Sequence, residues 1–460
     1  LHDLQYLPLE VRAIDEGTRY PIGLPVFTVK ATIDCFGWLV NYVETPSSGL
    51  IWPMINTATK VEQFYLQSRY YGELSAPQHV VDNWLPICVH EFGMRGYRGL
   101  EDQIRTSSCH SLFFLGSDTM SVIDFFEQEY DTNPDEHQVA VSVRASEHAD
   151  ISRMLSLFRH LARTHLKDGT EFLGVNPQEV LDDTEFFVLQ WFVENSTGIM
   201  SYVADTENYY RLLNVYAKRL KDKIKSRKTR EDGQPPIFVF RPDSSRRTPL
   251  TVICGYLIID KGDWHDAGSG GITCDSDVCM HDSHLDKYFL NDKGVFTEIS
   301  KEEARGSLAS LWDIFGGEVV DTKSGKMRLI DPSVGLIYGE AISQKHQKEI
   351  YERMILMGFS ATNILMGKGS YASLEGSTRD LFSMSYKQTF SEAIIDGKRV
   401  NLSQQKTPMG DISKTSARGL LRVERVDDDF VLHQDQTAEQ EKMGELTLLL
   451  RNGVFYKEQT

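Results

Sequence analysis

The sequence predicts an α/β fold built round a parallel barrel, with a second, mostly β domain made from both chain ends. Three observations carry this expectation. Seven short apolar runs each end in a polar cluster. Longer amphipathic stretches alternate with these runs, which is the pattern of βα units around a parallel sheet. Short extended segments and turns occupy both ends of the chain. The expected boundaries are residues 1–85 with 385–460 for the β-rich domain and 86–384 for the barrel, with a loop insertion near 260–310.

Residues 1–40 read as extended segments broken by Gly and Pro, as in Leu7-Pro8-Leu9-Glu10-Val11-Arg12-Ala13. Residues 54–73 read as helix. The first barrel run, 87–89, leads into His90-Glu91-Phe92, and the second, 112–115, into Gly116-Ser117-Asp118. A helix is predicted over 121–130. The run 139–143 precedes Ser146-Glu147-His148 and a helix over 150–167. The run 199–203 precedes Ala204-Asp205-Thr206 and a helix over 207–228. The basic stretch 218–230 reads as a solvated helix end and loop, with a phosphate-binding patch as the minority reading. Then 237–240 leads to Arg241-Pro242-Asp243, 334–338 to Gly339-Glu340, and 364–366 to Gly367-Lys368-Gly369-Ser370. Ile350, Met354 and Met357 recur at helical spacing in a helix over 342–358, with Gly358 as its C-terminal cap. From about 385 short strands return, with turns at Asp396-Gly397 and Asn452-Gly453.

In a parallel barrel the reactive residues sit just past the carboxyl ends of the strands. The polar clusters therefore place a His, several carboxylates and three basic or Gly-rich loops round one mouth, a site for an anionic substrate. The 460 residues suffice for one barrel and a smaller domain. A net charge of −17 argues against general nucleic-acid or anionic-membrane binding, and no apolar run approaches a membrane span. The six cysteines lack disulfide-scaffold spacing, which points to a reduced, cytoplasmic protein. The chain starts at Leu1 and reads as N-terminally incomplete.

Eight motifs occur in one order: His90-Glu91-Phe92-Gly93-Met94-Arg95-Gly96, Gly116-Ser117-Asp118-Thr119, Glu147-His148, Arg241-Pro242-Asp243-Ser244, Tyr338-Gly339-Glu340, Gly369-Ser370-Tyr371, Thr378-Arg379-Asp380 and Ser385-Tyr386-Lys387. In that order they resemble the nicotinamide phosphoribosyltransferase family, from about residue 7 to about 425. Gly369-Ser370-Tyr371 and Leu311-Trp312-Asp313-Ile314-Phe315-Gly316-Gly317 look like its bacterial and phage branch. The resemblance implies an incomplete α/β barrel of the type II phosphoribosyltransferase kind plus a β-rich domain, working as a homodimer with shared sites. It implies transfer of phosphoribosyl from 5-phosphoribosyl pyrophosphate to nicotinamide, with Mg²⁺, and with ATP phosphorylating a histidine.

Carried over residue by residue, the resemblance makes Phe92 the aromatic platform for the base. Asp118 becomes the acceptor for the carboxamide N–H, Arg241 the donor to its oxygen, and Arg95 a pyrophosphate contact. His148 is the phosphorylated histidine, with Glu147 orienting its ring. Asp205 and Asp243 hold the ribose–Mg²⁺–pyrophosphate assembly. Gly339 and Glu340 lie at the ribose hydroxyls. Gly369 and Ser370 offer N–H groups to a phosphate, and Arg379, Ser385 and Lys387 form a 5′-phosphate clamp from the other subunit. Read as isolated residues, Phe92 is a core Phe, Asp118, Asp205 and Asp243 are helix caps or turn residues, and the arginines are surface ion pairs.

The sequence departs from the family pattern at four places. Glu340 stands for an Asp, Ser245-Arg246-Arg247 follows Arg-Pro-Asp-Ser in place of a Gly-Asp pair, Arg144 replaces a Pro and Ala149 a Ser. These keep open altered activity or a non-catalytic metabolite-binding relative. A nicotinate or other base phosphoribosyltransferase is the nearer alternative, against which Asp118 argues. Cys274, Cys279, His281 and His284, with His265 nearby, have the composition of a metal site without the spacing of common zinc modules, so no metal ligand is assigned and a mobile insertion is the simpler reading.

Overall fold

Six short strands pair side by side, all in parallel: Val89–Glu91 (β1), Arg144–Ala145 (β2), Met200–Val203 (β3), Phe238–Arg241 (β4), Val334–Tyr338 (β5) and Leu365–Lys368 (β6). Their order across the sheet is β1-β6-β5-β4-β3-β2. Single parallel bridges, Glu91 to Ser117 and Gly116 to Val141, carry the pairing from β1 toward the segment that becomes β2. The computed structural model describes residues 1–460 except 264–276, 293, 340–341, 411–414 and 457–460. Every residue of β1, β3 and β4 is buried, as in a parallel sheet covered on both faces. Aromatic side chains fill the space, among them Tyr202, Phe238, Phe240 and Tyr338.

The covering helices show why they form. Leu39–Ser75 (α1) buries Thr57, Val61, Phe64, Ser68, Tyr71 and Ser75 at alternating steps of four and three, one stripe of a helix. Leu100–Ser111 (α2) and Val122–Tyr130 (α3) follow the first strand. His148–Asp168 (α4) opens with a reciprocal capping box between Glu147 and Asp150. It buries Ile151, Leu155, Phe158 and Ala162 and ends at Gly169, whose φ of 66° suits glycine. Thr184–Asn195 (α5), Lys301–Phe315 (α6) and Gln344–Leu356 (α7) complete the main helices round the sheet. Gly358 lies just past α7 with φ 74°, as a C-terminal glycine should.

Two units emerge from the contacts: Leu1–Asn56 with Gly376–Thr460, and Thr57–Glu375. One boundary therefore falls inside α1, because its C-terminal stripe belongs to the core of the second unit. In the first unit Leu9–Ala13 pairs antiparallel with Phe27–Ala31 and with Thr447–Arg451, so both chain ends share one sheet. Two hairpins, 390–403 and 420–436, accompany it.

Several expected elements differ. Residues 112–115 form no strand, because α2 runs to Ser111 and a turn follows; only Gly116 and Ser117 make bridges. Residues 139–143 contribute a single bridge at Val141, and the strand itself is Arg144–Ala145. The helix over 207–228 is broken into Tyr209–Arg211, a π-helical turn Leu212–Ala217 and Lys221–Lys225. Its basic tail is not wholly solvated: Arg227 is buried beside Ser196 and over Phe238. The expected loop insertion contains a four-stranded sheet, Leu257–Asp260, Val278–Asp282, Lys287–Asp292 and Val295–Ile299, followed by α6. Alternation in Lys287–Asp292, with Tyr288 and Leu290 inward, is the signal that loop-like glycines nearby obscured. Among the described residues no helix is long and apolar enough to cross a membrane.

Candidate active site

The carboxyl ends of β1–β6 deliver the polar residues, as barrel geometry requires. At β1 the ring of Phe92 is seated by two glycines. A Cβ on Gly367 would lie 2.6 Å from Phe92 Cδ2 and Cε2, and one on Gly339 would lie 3.6 Å from the same edge. Phe92 N donates to Lys368 O at 2.8 Å, which pins the residue to β6. The ring stays half-buried. The Arg241 guanidinium lies 6.0 Å from its centroid, at the outer limit of cation–π attraction.

Beneath this seat lies a buried polar layer. Glu91 accepts from Gly93 N at 2.8 Å, Tyr97 Oη at 3.0 Å and Thr119 Oγ1 at 2.5 Å. Lys368, almost fully buried, donates to Ser373 Oγ at 2.7 Å, and burial draws its pKa down. These bonds satisfy groups that would otherwise cost several kcal/mol to bury, on the order of 1–3 kcal/mol each.

Asp118 follows the Gly116–Ser117 bridges. It accepts from His90 Nε2 at 2.9 Å and from Ser142 Oγ at 2.6 Å, both on Oδ1. Burial would raise its pKa; the bonds from His90 and Ser142 and the charge of Arg241 outweigh that and hold it below the usual value. It does not cap a helix, since Ser121 occupies the cap of α3.

His148 is the first residue of α4, half exposed, with Nε2 2.9 Å from Asp205 Oδ1. Asp205 Oδ2 accepts from Asp243 N at 2.9 Å, Ser244 N at 2.8 Å and Ser244 Oγ. Burial raises the Asp205 pKa, but these donors together bring it below the ordinary range. Asp205 is therefore saturated by protein donors, and it orients the His148 ring. Glu147, expected in that role, instead caps α4 and lies 3.3 Å from Arg241 Nη2. The cap leaves its carboxylate facing the helix start and the arginine, out of the histidine's bond.

Asp243 is the complement. Its Oδ1 is buried with no hydrogen-bond partner, and burial, opposed by Arg241 and reinforced by Asp205, pushes its pKa up. An orphaned buried carboxylate oxygen is a group awaiting a cation or donor. Arg241, itself buried, donates Nη2 to Ser146 O at 2.9 Å and sits 3.8 Å from Asp243 through Nε, which is also without a bond. Arg95 is exposed on the short turn Met94–Gly96; a Cβ on Gly96 would overlap Ser370 Oγ, so this turn packs directly on the loop after β6. There Gly369 precedes the short helix Ser370–Leu374.

Other expected residues fall in the first unit or outside the described residues. Arg379, Ser385 and Lys387 belong to the first unit and are exposed; Arg379 pairs with Asp380 at 3.2 Å and Lys387 donates to Tyr386 O at 2.9 Å. Glu340 falls outside the described residues, as do His265 and Cys274 of the cysteine–histidine cluster. Cys279 is buried in a strand with its thiol pushed up to about 12 by burial, and the His281 ring stacks on Tyr288. No group of three or more metal-ligating side chains occurs among the described residues. In the turn after Ser244, Arg246 pairs with Glu303 at 2.8 Å and Arg247 with Asp292 at 2.5 Å. Reasoning from sequence missed His90, Ser142 and Ser244; all three stand in or beside motifs but carry no distinguishing spacing.

No family model matches the chain. Among characterised proteins it is similar to the nicotinamide phosphoribosyltransferase of Acinetobacter baylyi, 30% identical over 455 residues, covering 98% of this chain and 74% of the relative. It is also similar to those of Mycoplasma genitalium, 23% identical with 91% and 72% covered, and Xanthomonas campestris pv. campestris, 22% identical with 91% and 69% covered.

Proposed function

The chain belongs to the nicotinamide phosphoribosyltransferase family, and on that premise we propose that it transfers phosphoribosyl from 5-phosphoribosyl pyrophosphate to nicotinamide, giving nicotinamide mononucleotide and pyrophosphate for NAD synthesis. The observation that carries the reading is the seat at β1, β5 and β6: a half-buried Phe92 ring held close by Gly367 and flanked by Gly339, with Asp118 and Arg241 beside it. A flat neutral base stacks on such a ring. Its carboxamide N–H donates to Asp118, and its oxygen accepts from Arg241. A carboxylate base would be apposed to Asp118 in a poorly hydrated pocket, which disfavours nicotinate.

Displacement at ribose C1 develops positive charge on the sugar while the leaving pyrophosphate gains negative charge. Catalysis is then mostly positioning and electrostatics. Asp243 has the unbonded oxygen suited to Mg²⁺ or a ribose hydroxyl, whereas Asp205, with its oxygens occupied, acts by shaping the 243–244 loop and His148. When bound, Mg²⁺ offsets the charge of the pyrophosphate; such an ion commonly takes one or two carboxylates and otherwise phosphate oxygens and water. Arg95 supplies a cation on the Ser370 side.

We assign ATP-dependent phosphorylation to His148. Its ring is half exposed, one nitrogen is held by Asp205, and it starts a 21-residue helix whose N-terminal dipole favours a phosphate. Arg379, Ser385 and Lys387 are proposed to serve the site of a partner subunit in a homodimer. Incubation with labelled ATP tests the histidine role. Acid-labile phosphate should appear on the protein and be absent from His148→Ala; label retained in that variant contradicts the assignment.

A further inference from the structure

His90 has no part in the chemistry above, yet it touches the carboxylate on which base choice depends. The main chain around Asp118 is fixed first. Asp118 N donates to Glu91 O at 3.0 Å, and Gly116 O accepts from Glu91 N and from His110 Nε2, each at 3.0 Å. His110 is fully buried; burial, then the charge of Lys368, holds its pKa well below the ordinary value. It is therefore neutral, with its proton on the nitrogen that meets the carbonyl. The side chain is fixed next. Asp118 Oδ1 receives two donors, His90 Nε2 at 2.9 Å and Ser142 Oγ at 2.6 Å. Among the described residues no donor reaches Oδ2. His90 has little room to turn: a Cβ on Gly116 would lie 2.9 Å from its Nδ1, and its ring centroid is 4.6 Å from that of Phe92. An aspartate free to rotate about its last torsion offers either oxygen in many directions. Two donors on one oxygen remove that freedom and leave the other as the acceptor.

We propose that His90 is a positioning residue that sets base selectivity: its Nε2 bond to Asp118 Oδ1 turns Oδ2 to the incoming carboxamide N–H and presents a negative oxygen to any base bearing a carboxylate. The proposal rests on Asp118 being the carboxamide acceptor. It assigns the discrimination to a frame of Asp118, His90 and Ser142, in which the carboxylate alone is insufficient.

The test measures kcat and KM of the full chain for nicotinamide and nicotinate at saturating 5-phosphoribosyl pyrophosphate. The variants are His90→Leu, which fills the ring's space without a donor, His90→Gln, which restores an amide N–H, and Asp118→Asn. His90→Leu should raise the nicotinamide KM about tenfold and narrow the nicotinamide-over-nicotinate ratio by a similar factor. Its kcat and its KM for 5-phosphoribosyl pyrophosphate should stay within about twofold. His90→Gln should recover most of the ratio. If His90→Leu does not fold, His90→Ala takes its place, with thermal melting as the control. The proposal is overturned if the donorless variant keeps the parent ratio while Asp118→Asn narrows it, or if His90→Gln loses as much as His90→Leu. If Asp118→Asn also leaves the ratio unchanged, the base-pocket reading falls, and this proposal with it.

Discussion

Asp118 shows how a single residue can carry specificity. Its carboxylate is held ionised by donors and by Arg241 against the opposing effect of burial. Asp118→Asn keeps the shape and removes the charge, so preference for nicotinamide over nicotinate should narrow by about 1.5–3 kcal/mol, the worth of a charge-assisted hydrogen bond. Paired steady-state kinetics check it. Glu185 gives a second expectation, in stability. It is buried at the start of α5, and burial, then the charge of Glu207, pushes its pKa up to about 7. A carboxyl whose folded value is raised favours the folded state below its usual value near 4.5, and that advantage is lost as pH rises through about 7. Glu185→Gln should therefore flatten the decline in stability between pH 5 and 8, making the variant relatively more stable at pH 8, on the order of 1–3 kcal/mol. Denaturant melts at both pH values measure the difference; an unchanged slope with pH counts against it.

At the scale of elements, the site depends on how closely β1, β5 and β6 approach. Gly367 leaves only enough room for the Phe92 ring, whereas a Cβ on Gly339 would meet that ring in ordinary contact at 3.6 Å. Gly367→Ala would place a methyl 2.6 Å from that ring and 2.6 Å from Gly339 Cα. It should displace Phe92 and raise the nicotinamide KM about tenfold or more, while the affinity for 5-phosphoribosyl pyrophosphate, held by other loops, changes less. The strands themselves were legible in the sequence where apolar runs were continuous, as at 200–203, 238–241 and 334–338. They were not legible at 112–115, where an equally apolar run closes a helix and turn, because periodicity cannot separate short buried strands from helix ends. The order of motifs pointed to Phe92, Asp118, His148 and Asp243. It could not show that Asp205 is saturated by donors, that Glu147 is a cap, or that His90 bonds Asp118, since those depend on distances between strand ends far apart in the chain.

For the whole molecule, sequence showed that both chain ends build a β-rich unit, and the antiparallel pairing of Leu9–Ala13 with Thr447–Arg451 is the physical form of that pattern. It did not show that α1 contributes to both units, because its apolar stripe becomes regular only in its second half. If active sites are shared in a dimer, subunits carrying His148→Ala and Lys387→Ala, each nearly inactive alone, should recover roughly a quarter of wild-type turnover on random reassortment, since half the dimers then hold one intact site. Failure to recover any activity, with exchange verified by sedimentation or labelled subunits, contradicts sharing. The most direct test of the central claim is simpler. The protein is incubated with 5-phosphoribosyl pyrophosphate, Mg²⁺ and either nicotinamide or nicotinate, and the products are identified by mass. Nicotinamide mononucleotide and pyrophosphate should form readily, and nicotinate mononucleotide far more slowly. No mononucleotide from either base, or equal formation from both, would contradict the account.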